Sequence, residues 1–158
     1  MGFFIAEPVG SGPPLTDAMV ARAEATLQRR LPPAYVAILR ERNGGVPVRR
    51  CIRTTAPTSW APDHIEISTL LGIGFEDGLD GELGSAYMVQ EWGYPDIGLV
   101  ICHTPSAGHD TVMLDYSECG PHGEPRVVYV DEDRSVLILA PDFSSFIHSL
   151  RESLGAKE

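Results

Sequence analysis

Cysteine is scarce in this chain: Cys51, Cys102 and Cys119 are odd in number and widely separated. That excludes the paired framework that staples small secreted domains, and it points to a reducing compartment. Long apolar runs are missing as well. The stretches 98–102 and 136–140 are strand-sized, far short of the roughly 20 residues needed to cross a bilayer. At the N-terminus, residues 1–6 carry neither a positive leading segment nor a long apolar run, and Ala6 stands where a myristoylation signal needs Ser or Thr. The expectation is a soluble, cytoplasmic protein with no membrane contact.

Basic charge is also in short supply. The 158 residues hold 12 basic and 22 acidic groups, a net charge of -10. Nucleic-acid binding needs clustered Lys and Arg against phosphate, so this sign argues against it. The deficit is uneven: residues 1–60 hold 8 basic and 4 acidic groups, residues 61–158 hold 4 and 18. The acidic part has two readings, a solvated surface and a docking face for a basic partner.

What is present reads as one domain over 1–158 with a core from about 15 to 154, because 43% apolar residues suffice to bury a core at this length. Thr16 caps an expected helix from Asp17 to about Arg29, with Val20, Ala23 and Leu27 on one stripe. Pro32-Pro33 opens a second helix bearing Tyr35, Ile38 and Leu39, and Asn43-Gly44-Gly45 should end it through a left-handed cap. Val46–Arg53 and residues 65–67 are strand-like, 72–84 is an expected exposed loop, and Ser85–Glu91 is an expected short helix. Four strands follow over 99–103, 111–116, 126–131 and 136–140, antiparallel in the simplest topology. Asp142 then caps a closing helix whose stripe is Phe143, Phe146, Ile147, Leu150 and Leu154. The fold class is α+β: an antiparallel sheet packed against N-terminal and C-terminal helices.

Three stretches together resemble the SUKH superfamily, specifically its Smi/Knr group. They are Leu31-Pro32-x-x-Tyr35-x-x-x-Leu39-x-x-x-Asn43-Gly44-Gly45, the long segment from Gly108-His109-Asp110 to Tyr129-Val130-Asp131, and Leu139-Ala140-Pro141-Asp142-Phe143-x-x-Phe146-Ile147. They occur in family order. The resemblance implies a fold that binds other proteins, bacterial members being associated with neutralising toxins of nuclease or deaminase type. It also implies an alternative, an intracellular scaffold or regulator of cell-wall or signalling functions. It brings no catalytic residue set.

The acidic groups nominated for partner binding are Glu76, Asp77, Asp80 and Glu82 in the 72–84 loop, and Asp131, Glu132 and Asp133 in the turn after the third strand-like run; their expected partner is a basic toxin domain. A second reading is an enzyme using Cys119 with His122 or His109 as base, or a metal held by these and by Cys102 and His103. Its spacing is poor, since there is no Cys-x-x-Cys pair and Cys102 and His103 alternate across a strand. Residues 76–87 do not satisfy an EF-hand loop, because Gly78 and Tyr87 fall on ligand positions. Gly72-x-Gly74 lacks the third glycine of a dinucleotide turn. No cofactor is expected. Asp115, Tyr116, Trp92 and Tyr94 can pack at strand ends and sheet edges, and they are not taken as a pocket.

Overall fold

The computed structural model describes residues 2–152. Helix α1 spans Asp17–Leu27, and the Thr16 hydroxyl accepts the Met19 amide at 3.2 Å, filling the N-cap role its sequence suggests. It ends two residues before Arg29, where Gln28 turns left-handed at φ 55°. Helix α2, Pro33–Glu41, starts on proline, whose missing N–H costs nothing at a first helical position.

The end of α2 differs from expectation. Arg42 leaves the helix extended, so Gly44 and Gly45 do not cap it. Gly44, at φ 91°, instead permits close approach: a Cβ there would lie 2.6 Å from the Gly72 amide. Asn43 makes the same junction by hydrogen bonding. Its amide donates to the Ile73 carbonyl at 2.7 Å and the Pro13 carbonyl at 2.9 Å, while its oxygen accepts the Ile73 amide at 2.9 Å.

Only Cys51–Arg53 of the expected 46–53 strand forms, as β1, pairing antiparallel with β2, His64–Glu66. Pro47 makes an isolated bridge to Phe4 instead. The main sheet has five strands in the order β3-β4-β5-β6-β7, every pair antiparallel. They are β3 Thr69–Leu70, β4 Gly98–His103, β5 Thr111–Asp115, β6 Arg126–Val130 and β7 Val136–Ala140. Central β5 is buried at every position, so both faces of the sheet are covered there and its sequence is a continuous run rather than an alternation, while edge strand β7 leaves Val136 and Ile138 exposed.

Helix α3, Ser85–Trp92, packs on β4, and helix α4, Phe143–Ser149, packs on β6, β7 and α2. The Ser85 hydroxyl accepts the Val100 amide at 2.8 Å, fastening the start of α3 to the sheet. Asp142 caps α4 by accepting the Ser145 amide at 2.7 Å. Phe143 and Phe146 are fully buried, with Tyr35 edge-on to Phe143 at 5.3 Å. Leu150 is buried just past the helix end, and Leu154 lies outside the described residues.

Candidate partner-binding surface

The 72–84 loop is not the open excursion its composition suggests. Leu79 is fully buried, its amide donates to the Gly72 carbonyl at 2.7 Å, and its carbonyl accepts the Ser85 amide at 3.0 Å. A buried anchor of this kind turns a glycine-rich loop into a shaped surface, because its backbone groups are paired internally. Asp80 takes part by accepting the Gly74 amide at 2.8 Å. Glu76, Asp77 and Glu82 remain exposed, and their carboxylates make no hydrogen bond or ion pair among the described residues. Asp77 nevertheless reaches His103 electrostatically: burial pulls the His103 imidazole below its ordinary pKa, and the Asp77 charge opposes that shift.

The β6–β7 turn divides in the same way. Asp131 accepts the Ser59 amide at 3.0 Å and the Glu132 amide at 2.8 Å, so it ties the 54–63 loop to the sheet. Asp133 accepts the Ser135 hydroxyl at 2.6 Å and the Ser135 amide at 2.9 Å, and these bonds hold its carboxyl below the usual range. Of the seven nominated acids, Asp80, Asp131 and Asp133 thus shape backbone, while Glu76, Asp77, Glu82 and Glu132 carry free exposed charge. Reversing Asp131 or Asp133 would remove bonds that shape the turn itself.

Arg134, which sequence reasoning passed over, links this turn to α3. Its guanidinium donates to the Trp92 carbonyl at 2.6 Å and the His109 carbonyl at 2.8 Å, and lies 4.7 Å over the Tyr94 ring. The two acidic segments therefore flank opposite ends of α3: 72–84 leads into its first turn, and 131–135 is fastened to its last residue. Arg134 directly follows three acids in the sequence, and its function as a clamp depends on chain segments more than twenty residues away.

The second nominated set is not assembled. His109 precedes β5 and Cys119 follows it, so a five-residue strand of roughly 17 Å separates them. Cys119 sits with its sulfur 3.2 Å from the Gly120 carbonyl, and burial pushes its thiol up, away from the thiolate a nucleophile needs. His122 faces a different neighbourhood, an open cleft with Glu24, Arg29 and Arg30. Cys102 is fully buried and burial raises its thiol well above the ordinary value. No group of three His, Cys, Asp or Glu side chains among the described residues is arranged to hold a metal.

Buried polar groups elsewhere serve the fold. Asp115 is 2% exposed; burial alone would raise its pKa, but bonds from the Ser117 amide and hydroxyl, with the Arg126 guanidinium at 2.8 Å, outweigh that and hold it below the usual carboxylate range. The Tyr116 hydroxyl donates to the Arg30 carbonyl at 2.7 Å, tying the connection between α1 and α2 to the end of β5. Asp110, in the Gly108-His109-Asp110 stretch, is buried and accepts hydroxyls from Thr104, Ser106 and Tyr129. Three hydroxyl donors satisfy a carboxylate without a cation, and here they fasten the 104–110 loop to β6.

Fold and surface together define a small α+β domain whose buried polar groups hold loops in place, while exposed carboxylates stand near the two ends of one half-exposed helix. The chain belongs to the SMI1 / KNR4 family (SUKH-1), whose model matches residues 14–149. No curated protein and no solved structure matches it. No helix among the described residues is long and apolar enough to cross a membrane.

Proposed function

We propose that this chain is a non-catalytic immunity-type domain of the cytoplasm that neutralises a toxin, of nuclease or deaminase type, by binding it directly. The observation that carries this reading is the display of unpartnered carboxylates, Glu76, Asp77, Glu82 and Glu132, on loops whose own backbone is held by the remaining acids. A toxin that grips nucleic acid offers a basic groove, and acidic groups on a rigid frame steer such a partner and match its field. Family membership supports binding as the general role.

The test takes a nuclease- or deaminase-type domain sought among the genes flanking this one, with the quadruple variant Glu76→Lys, Asp77→Lys, Glu82→Lys, Glu132→Lys. Wild-type protein should associate quickly at low salt and about ten-fold or more slowly at high salt, because screening shortens attraction to a Debye length of about 10 Å at 0.1 M. The variant should associate slowly at both, and cells carrying it should lose protection. Equal association rates for both proteins at both salt concentrations, or no complex at all, would sink this reading.

A further inference from the structure

We infer that the outward face of α3 is the centre of a docking surface for a basic protein face, with Trp92 and Tyr87 as its aromatic anchors and the two acidic segments as its rim. This rests on the binding reading above and narrows it to one patch and one partner chemistry.

Three observations meet on this helix. The first is apolar exposure: Tyr87 and Trp92 on the helix are each 38% exposed, and Leu83, two residues before it, is 44% exposed. The second is order. Trp92 stands edge-on to Tyr87 at 6.3 Å and to Tyr94 at 6.2 Å. Its ring also rests on Gly108, where an added Cβ would meet it at 3.1 Å. Below it, the Tyr94 hydroxyl donates to the Gly108 carbonyl at 2.5 Å and Arg134 closes over the Tyr94 ring. A half-exposed tryptophan held on three sides loses little freedom when a partner covers it, and aromatic anchors of this sort dominate binding energy.

The third observation is charge. Residues 65–102 contain no Lys, Arg or His and seven Asp or Glu. Helix α3 is about 12 Å long at 1.5 Å per residue, with Glu76, Asp77 and Glu82 on the approach to its start, Glu91 on its last turn and Glu132 in the turn clamped to its end. An apolar and aromatic centre with a charged rim is the anatomy of a transient protein interface. Five acids, Glu76, Asp77, Glu82, Glu91 and Glu132, outnumber the two cations near the helix, Arg134 turned onto the Trp92 carbonyl and Arg29 in the cleft beside Ala86 and Val89, so the balance of charge favours a basic occupant and disfavours a second copy of this chain.

Panning a random-peptide display library on the immobilised full chain tests the surface without knowledge of the natural partner. Selection should enrich peptides that combine Arg or Lys with an apolar residue, and their affinity should fall at least 30-fold on Trp92→Ala and on the paired exposed changes Leu83→Glu and Tyr87→Glu, with circular dichroism unchanged. The exposed pair keeps the test valid if Trp92→Ala fails to fold. Peptides without a basic bias, peptides that bind the variants as well as wild type, or no enrichment would overturn the proposal. So would a dimer of the chain that dissociates on Tyr87→Glu. If the toxin complex forms and its dissociation constant is unmoved by these variants, the toxin reading stands and the α3 surface falls. If selection succeeds on α3 while no toxin complex forms, the surface stands and the toxin reading falls.

Discussion

Asn43 is 2% exposed and spends both side-chain N–H groups and one oxygen lone pair on two other segments of chain, through the Pro13 carbonyl and both backbone groups of Ile73. Removing it leaves those groups buried and unpaired, at about 1–3 kcal/mol for such a site. Asn43→Ala should therefore lower stability by about 2–3 kcal/mol in urea unfolding, far more than an exposed helix-end Asn would cost. Asp115 gives a residue-scale pH dependence. Its folded pKa lies below the ordinary value of about 3.9, so its contribution is fully present above that value and is lost as pH falls through the depressed folded pKa. Asp115→Asn should flatten the stability profile below about pH 4 while leaving its shape at neutral pH unchanged. An unaltered acid limb in thermal melts would mean that Asp115 is not linked to unfolding.

Among the elements, α4 shows how far periodicity carries. Its apolar stripe and its Asp142 cap are both visible in the sequence, and both are realised: Phe143 and Phe146 are fully buried and Asp142 bonds Ser145. Phe146→Ala should cost about 3–5 kcal/mol, measured by chemical denaturation; a change within error would make α4 peripheral to the core. The 72–84 loop marks where such reasoning stops. Glycine and acid composition suggests an exposed segment, but Leu79 enters the core and Gly78, Gly81 and Gly84 pack against loop backbone at distances no Cβ would allow. A single buried leucine in a polar loop has no periodicity to announce it. The turn at 131–135 was legible as a turn and not as a clamp, because Arg134 bonds to carbonyls of α3 and of the 104–110 loop. Arg134→Ala should loosen that turn, seen as faster amide exchange at Asp131 and Ser135, with little loss of global stability.

For the whole molecule, Cys51 and Cys102 are buried, Cys119 is half-buried, and all three are free thiols. Reducing agent should leave the thermal midpoint unchanged, and a marked fall on reduction would contradict this fold. Composition, charge imbalance and hydrophobic spacing sufficed for the α+β class, the strand series from β4 to β7 and the capped helices α1 and α4, because these depend on near neighbours in the chain. The family motifs were legible too, and Asn43-Gly44-Gly45 was read at the right place for the wrong reason: its glycines serve close approach to Gly72, a contact 28 residues away. Tertiary structure alone decided which of the seven acids hold backbone and which face solvent. It also brought the two acidic segments to either end of α3, with the row of Tyr87, Trp92 and Tyr94 between them. Sequence spacing sets charge and periodicity, whereas a surface is made of residues that only the packing of α3, the loops and the β6–β7 turn brings into one neighbourhood.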